Sequence, residues 1–196
     1  MSGSEEQRTK RSDTRLIGLL QGHSDQNAPA PEPGKGSTLV TKDRPLFFID
    51  LDGVLLRRRN AGVFDGFELA PGCVEFLEAV TSRFQCRWLS SRARTGWPDG
   101  VRRAFRAAGA PLDDPRWAVL GLVEPAVWSI DKTEALNPES DFLWIDDAPS
   151  EQDRAWLLVH RCDERLIEIS TDANPDALIR LIRLWDQDVG KRFRPK

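Results

Sequence analysis

Short apolar runs alternate with longer amphipathic segments along most of this chain, and this alternation limits the folds that it can adopt. The runs that predict buried strands are LFFID (46–50), CRWLSS (86–91), WAVLGL (117–122), DFLWIDD (141–147) and RLIEIS (165–170). The segments with apolar residues at every third or fourth position, which predict helices, are 70–84, 98–110 and 174–187. Strands that alternate with helices predict an α/β fold with a mainly parallel sheet and helices on both faces.

The first 43 residues differ in composition from the rest of the chain, because they are polar and rich in Ser, Gly and Pro. Such a segment cannot bury enough apolar surface to offset the entropy of ordering it, so residues 1–43 are predicted to form a disordered tail. One domain is predicted to follow, from residue 44 to about residue 190. The tail's apolar segment, 16–20, is too short for a signal peptide, and no run reaches the roughly 18 apolar residues of a membrane span. We therefore expect a soluble cytoplasmic protein without a membrane partner.

Charge and cysteine content exclude several classes of protein. The formal net charge is -3 over 196 residues, which argues against a protein held to nucleic acid by bulk charge alone and leaves a local basic patch open. Cys73, Cys86 and Cys162 are odd in number, widely spaced and in no CxxC pair. They predict neither a disulfide framework nor a zinc site.

Two of the apolar runs end in pairs of acids. Asp50 and Asp52 follow the first run, and Asp146 and Asp147 close the fourth. An ionised carboxylate in apolar surroundings costs several kcal/mol unless a partner compensates for it. The carboxyl ends of parallel strands meet at one edge of the sheet, where ligands bind, and the predicted edge carries Asp50, Ser90 and Asp146. Acids on two strand ends would repel each other without a cation between them, so we expect Mg²⁺ at this edge.

Other interpretations of these acids remain. Asp52-Gly53 between two apolar runs is a strong signal for a type I′ hairpin turn, although the preceding run does not alternate as a hairpin strand does. An EF-hand loop that began at Asp50 would place Val54 and Ala61 at ligand positions, so it is excluded. Asp147 is also a candidate N-cap, because Pro149 favours a helix start nearby.

Four segments together resemble the ordered motifs of the haloacid dehalogenase (HAD) superfamily. They are FFIDLDGVL (47–55), RWLSS (87–91), the lysine of SIDKTEAL (129–136) and FLWIDD (142–147). The segment RRRNAGVFDGFEL (57–69) is long enough for a β-hairpin flap and leaves no room for a large cap domain. The chain therefore resembles small capless HAD domains, which occur alone or in RNA-repair proteins, and the resemblance implies a Rossmann-like core.

The resemblance implies a Mg²⁺-dependent phosphatase that forms an aspartyl-phosphate. Asp50 would be the nucleophile and Asp52 the general acid and base, while Ser90 and Lys132 would contact the transferred phosphoryl group. The implied metal ligands are Asp50, the backbone carbonyl of Asp52, Asp146 and Asp147. The residues expected to bind the phosphorylated substrate are Gly53, Ser91 and Arg92. An uncapped site favours an accessible phosphate ester, and basic loops near it could select a nucleic-acid end.

Simpler roles exist for several of these residues. Ser91 could replace Ser90 as the phosphate ligand, and Lys132 could be an exposed lysine at a helix start. The arginines at 57–59, 92 and 94 could be solvated loop charges. Trp88, Trp97 and Trp144 are predicted to be core residues.

The alternative function is a non-catalytic module of the same fold that binds a protein or nucleic acid through its basic loops. A receiver-like signalling domain is disfavoured, because its site ends with the lysine.

Overall fold

The computed structural model describes residues 44–60 and 63–192, so the predicted tail lies outside the described residues. The strands of the described part are β1 (Leu46–Ile49), β2 (Leu56–Asn60), β3 (Val63–Leu69), β4 (Gln85–Trp88), β5 (Glu124–Pro125), β6 (Phe142–Asp146) and β7 (Leu166–Glu168). The α-helices are α1 (Cys73–Arg83), α2 (Asp99–Ala107), α3 (Glu151–Val159) and α4 (Ala177–Arg192). Short 3₁₀ helices cover Pro115–Leu122, Lys132–Ala135 and Asp163–Arg165.

Five strands form one sheet in the order β5-β4-β1-β6-β7, and every neighbouring pair is parallel. The predicted α/β class with a parallel sheet is therefore confirmed. Strands β2 and β3 pair antiparallel with each other, which forms the hairpin predicted for 57–69. We call this hairpin the flap.

Apolar side chains cover both faces of the sheet. Successive residues of a strand point to opposite faces, so Phe47 and Phe48 enter different clusters. Phe47 packs with the buried side chains of α1, α2 and α4, including Phe76 and Trp185. Phe48 belongs to a second cluster with Leu157 of α3. This two-sided burial explains why the strand sequences are continuous apolar runs rather than alternating ones.

Two sequence-based predictions about the fold are wrong. The run WAVLGL is not a strand but lies in the 3₁₀ helix Pro115–Leu122. Pro115 occupies the first turn and the Asp114 side chain accepts a hydrogen bond from the Arg116 N–H, which together start a helix instead. Trp97 is not in the core, because 70% of it is exposed, whereas Trp88 and Trp144 are fully buried as predicted.

Two alternatives for the acidic residues are also wrong. Asp52 and Gly53 do not connect two paired hairpin strands, since β1 pairs with β4 and β6 while β2 pairs with β3. Asp147 does not cap α3. Ser150 does so, because its hydroxyl accepts a hydrogen bond from the Asp153 N–H at 3.1 Å.

The three cysteines are free and buried, in agreement with the prediction of no disulfide framework. Among residues 44–60 and 63–192, no helix combines the length and the apolar character needed to cross a membrane.

Candidate active site

Three adjacent strands deliver the predicted site residues to one edge of the sheet. Asp50 directly follows β1, Ser90 follows β4 by two residues, and Asp146 is the last residue of β6. The parallel register pairs Ile49 with Ile145, and the Asp50 N–H donates to the Ile145 carbonyl at 3.1 Å. These backbone contacts place the carboxylates of the two central strands side by side.

The site is buried at its base and exposed at its rim. Asp50, Ser90 and Asp146 are 7%, 1% and 1% exposed, respectively. Ser91 is exposed, so Ser90 is the serine that lies level with the acids. The structure therefore favours Ser90 over Ser91 as the candidate phosphate ligand.

Lys132 joins the two buried acids. Its Nζ lies 3.0 Å from Asp50 Oδ2 and 2.6 Å from Asp146 Oδ2. The residue begins the 3₁₀ helix Lys132–Ala135, whose start is fixed because the Glu134 carboxylate accepts from the N–H groups of residues 129–131. The lysine side chain is only 18% exposed, so the interpretation of Lys132 as an ordinary surface lysine does not hold.

Asp146 accepts further hydrogen bonds besides that of the lysine. The Trp144 indole Nε1–H donates to Asp146 Oδ2 at 3.1 Å, and the Ala148 N–H donates to Oδ1 at 3.1 Å. Residues two apart on a strand share a face, so the Trp144–Asp146 contact follows from their spacing. We did not assign Trp144 to the site from the sequence, although this spacing was a usable signal.

Asp50, Asp146 and Asp147 are close enough together to hold one metal ion. Each of them offers one carboxylate oxygen, and these oxygens lie within 4.8 Å of one another. Carboxylate oxygens are the ligands that Mg²⁺ prefers in proteins. The Asp52 side chain is not in this group, which leaves its backbone carbonyl as the contribution to metal binding that the resemblance implies.

Gly53 keeps the space beside this group open. Its φ is +75°, in the left-handed region that favours glycine, and a Cβ at this position would overlap the Asp147 carboxylate. Any larger residue would therefore strain the turn and displace one of the acids. This explains the glycine that follows Asp52 without requiring direct contact with substrate.

Burial and neighbouring charges alter the protonation of the cluster. Burial raises the pKa of Asp50 to about 7, against the opposing effect of Lys132. Burial and the nearby Asp146 raise the pKa of Asp147 to about 6. Burial also disfavours the charged form of Lys132, but Asp50 and Asp146 outweigh it and raise the pKa of the lysine. The single positive charge of Lys132 does not balance the negative charges of Asp50, Asp146 and Asp147. A bound cation would reduce the remaining repulsion among these acids.

Arg92 binds the carboxylate of Asp52, the second acid of the segment FFIDLDGVL. Its Nε donates to both oxygens of Asp52, at 3.0 and 3.1 Å, and its Nη2 lies 3.0 Å from Asp52 Oδ1. The same guanidinium stacks 5.2 Å from the ring centre of Phe67, on the flap strand β3. Sequence reasoning placed Arg92 near the substrate but did not foresee that it pairs with Asp52.

The other arginines named from the sequence lie outside this cluster. Arg57 pairs with Glu68 across the flap at 3.2 Å, and Arg58 Nε lies 3.7 Å from Asp172 Oδ2. Arg94 stacks on the Trp128 ring at 5.8 Å. Arg59 is exposed. Arg57, Arg58 and Arg94 are thus held by partners other than the buried acids.

Comparison of the chain with protein-family models, with curated proteins and with solved structures finds no significant match. The assignment of a function therefore depends on the geometry of this edge of the sheet.

Burial of Asp50 should make the stability of the metal-free protein depend on pH. Its folded pKa of about 7 lies above its ordinary value of 3.8, so the folded state binds this proton more tightly than the unfolded state. The resulting stabilisation is complete below about pH 4 and is lost as the pH rises through 7. Asp50→Asn cannot titrate here. In EDTA, we expect the melting temperature of the wild type to fall relative to that of Asp50→Asn between pH 4 and 7, and a constant difference would contradict the assignment.

Proposed function

We propose that this chain is a Mg²⁺-dependent phosphatase of the HAD type, acting through an aspartyl-phosphate. The observation that carries the proposal is the lysine bridge, in which Lys132 contacts both Asp50 and Asp146 at the carboxyl edge of a parallel sheet. A buried carboxylate beside a fixed ammonium group and further acids is suited to accept a phosphoryl group.

The chemistry divides between the two acids of the first motif. An Asp50 oxygen attacks phosphorus while the bond from phosphorus to the ester oxygen breaks, and Asp52 gives its proton to that oxygen. Water then attacks the aspartyl-phosphate and loses a proton to Asp52. The bond from phosphorus to Asp50 breaks, inorganic phosphate leaves, and both side chains return to their starting forms.

A divalent ion held by Asp50, Asp146 and Asp147 would neutralise these acids and the incoming phosphoryl oxygens. Lys132 orients the Asp50 carboxylate through its 3.0 Å contact. Ser90, which is buried at the end of the neighbouring strand, would donate its hydroxyl proton to a phosphoryl oxygen. Together these groups supply positive charge and a donor where negative charge develops.

Arg92 has two alternative partners in this scheme. While its guanidinium holds both oxygens of Asp52, that carboxyl group cannot give a proton to a leaving group. Guanidinium groups bind phosphate in the same bidentate manner as carboxylate. We infer that an incoming phosphoryl group takes over Arg92, and that the freed Asp52 carboxylate then accepts a proton from the substrate's phosphate or from water and passes it to the ester oxygen.

The substrate proposed is an accessible phosphate ester, such as a nucleic-acid end. The exposed Trp97 and Arg94 lie on the loop that follows Ser90, and exposed aromatic and basic side chains bind single-stranded nucleic acid by stacking and charge. The alternative, a non-catalytic module that binds through its basic loops, has less support because Arg57 and Arg58 are held in ion pairs with Glu68 and Asp172.

A phosphate-release assay tests the proposed function. The panel comprises phosphosugars, nucleotides and oligonucleotides phosphorylated at the 3′ or 5′ end, each with Mg²⁺ and with EDTA. We expect Mg²⁺-dependent release from at least one ester class. Lys132→Met should lower the rate by roughly 10²- to 10³-fold, because it removes the preorganised positive charge that contacts both Asp50 and Asp146.

Arg102→Met serves as the control for this variant, since it removes an exposed positive charge from α2 that is not among the proposed site residues. Circular dichroism should verify that both variants are folded. Absence of release from every ester in Mg²⁺ would reject the phosphatase and favour the binding module.

A further inference from the structure

A buried threonine far along the chain contacts the turn that follows Asp52. The Thr171 N–H donates to the Gly53 carbonyl at 2.7 Å, and the Thr171 hydroxyl donates to the same oxygen at 2.9 Å. Thr171 is fully buried. It belongs to segment 169–172, which follows β7 and which we call the brace loop. The loop is anchored at the sheet edge, because the Ile169 N–H donates to the Asp146 carbonyl at 3.0 Å.

These bonds fix the conformation of the turn from both sides of Gly53. The Gly53 N–H donates to the Leu56 carbonyl at 2.7 Å, while its carbonyl accepts the two bonds from Thr171. The peptide group on each side of Gly53 therefore has a fixed partner. Since Gly53 alone would rotate freely around its φ of +75°, these partners set the direction of the preceding peptide and of Asp52.

The brace loop also holds the flap. Asp172 Oδ1 accepts a hydrogen bond from the Arg58 N–H at 2.6 Å. The flap in turn carries Phe67, on which the Arg92 guanidinium stacks. Adjacent residues of one loop thus contact the turn that bears Asp52 and the hairpin that supports its partner Arg92.

We propose that Thr171 is a positioning residue for Asp52, and that its hydroxyl holds the Asp52–Gly53 turn at the geometry needed for proton transfer. The catalytic part of this inference rests on the proposed phosphatase function. Thr171 itself touches no reacting atom, and it acts through the Gly53 carbonyl. A displacement of about 1 Å at a catalytic group can lower the rate by roughly 10²-fold, so one hydroxyl at this place has a measurable effect.

The kinetic test uses two esters that differ in how much they need Asp52. Thr171→Val keeps the shape of the side chain and removes the hydroxyl. We expect it to lower kcat for an alkyl phosphate by about 10- to 100-fold and to change the rate with p-nitrophenyl phosphate much less, because an activated leaving group needs little proton transfer. Thr171→Ser, which keeps the hydroxyl, should restore most of the alkyl phosphate activity.

Thr81→Val is the matched control. The Thr81 hydroxyl donates to the Leu77 carbonyl at 2.7 Å and, more weakly, to the Glu78 carbonyl at 3.4 Å within α1. This variant therefore also removes hydroxyl-to-carbonyl bonding, but far from Asp52 in the chain. Thr81→Val should change the rates with the two esters equally or not at all. In an Asp52→Asn background, Thr171→Val should add no further loss, since the group that it positions is already absent. An equal loss for both esters with Thr171→Val would overturn the proposal.

A second measurement does not depend on activity. The Nε–H of Arg92 bonds to Asp52 and gives a side-chain signal in ¹H–¹⁵N NMR spectra, which Arg92→Lys identifies by removing it. We expect Thr171→Val to shift or broaden this signal and Thr81→Val to leave it unchanged. Should Thr171→Val fail to fold, Thr171→Ala tests the same hydroxyl.

The two measurements separate the failure of this inference from failure of the proposed function. If the wild type releases no phosphate but Thr171→Val moves the Arg92 signal, the phosphatase is rejected and the positioning of Asp52 by Thr171 stands. If the Arg92 signal is the same in Thr171→Val and Thr81→Val, Thr171 has no positioning role, whatever the activity of the wild type.

Discussion

Asp50→Asn is expected to abolish phosphate release from every ester, and no phosphoryl group should become attached to the variant. The amide is a poor nucleophile, and Asp146, the second carboxylate beside Lys132, already accepts hydrogen bonds from Trp144 and Ala148. Asp52 differs in its surroundings, because its side chain is 36% exposed and bonded to Arg92. Substitutions of Asp50 and of Asp52 should therefore impair the reaction in different ways.

The loss of rate caused by Asp52→Asn should depend on the leaving group of the ester. General acid catalysis contributes roughly 10²- to 10⁴-fold, and an alkoxide leaving group needs it while an aryl one scarcely does. We expect the variant to retain phosphoryl transfer from p-nitrophenyl phosphate far better than from an alkyl phosphate. It should also accumulate aspartyl-phosphate, because the water that attacks this intermediate has lost its base.

Acid quenching followed by mass spectrometry should locate the phosphoryl group on Asp50 in the wild type and in Asp52→Asn. Phosphate on another residue, or equal losses for both esters in Asp52→Asn, would contradict the assigned roles. Glu168→Gln is the control, since Glu168 ends the neighbouring strand β7 and its carboxylate forms an ion pair with Arg154 at 2.6 Å.

Asp146→Ala is expected to remove Mg²⁺ binding and turnover together. A saturating ligand stabilises the state that binds it, by about 2.7 kcal/mol at a hundredfold excess over Kd. For a chain of this size, that corresponds to a rise of roughly 5–11 °C in the melting temperature of the wild type. The variant lacks one of the three clustered carboxylates, so Mg²⁺ should produce little or no rise.

The metal-free variant should also be less stable than the metal-free wild type. Asp146 is 1% exposed and accepts hydrogen bonds from Lys132, Trp144 and Ala148. Lys132 keeps Asp50 as a partner, but the buried Trp144 indole N–H loses its acceptor, which typically costs about 1–3 kcal/mol. Asp146→Asn offers a milder substitution if the alanine variant unfolds.

Scanning calorimetry with and without Mg²⁺ measures both effects. Glu168→Gln again provides the comparison, because Glu168 pairs with Asp146 in the sheet register and its loss leaves the cluster of three acids complete. The control should keep the full Mg²⁺-dependent rise. An equal rise in Asp146→Ala and in the wild type would place the metal elsewhere.

Local sequence pattern predicted most of the elements that carry the site. The apolar run LFFI became the central strand β1, and the segment that includes Cys73, Phe76 and Leu77 became α1 with those residues buried. WAVLGL failed as a strand because its apolar content is compatible with either type of element. Pro115 and the Asp114 cap decided for a 3₁₀ helix, and they lie just outside the run.

The sequence by itself determined the α/β class and the position of Asp50, Ser90 and Asp146 at strand ends. Both follow from local physics, because a strand buried on two faces must be apolar throughout and the polar residues after it must stand at its end. The structure adds the order of the strands, in which β4, β1 and β6 lie side by side.

Only the tertiary structure determined which polar and charged groups of the site contact one another. Lys132 bridges Asp50 and Asp146, Arg92 pairs with Asp52 across 40 positions of sequence, and Thr171 holds Gly53 across 118 positions. Such contacts depend on the conformation of loops and on a register set by packing throughout the sheet. Local periodicity contains no record of either, so the composition of the site could be predicted from the sequence whereas its pairing could not.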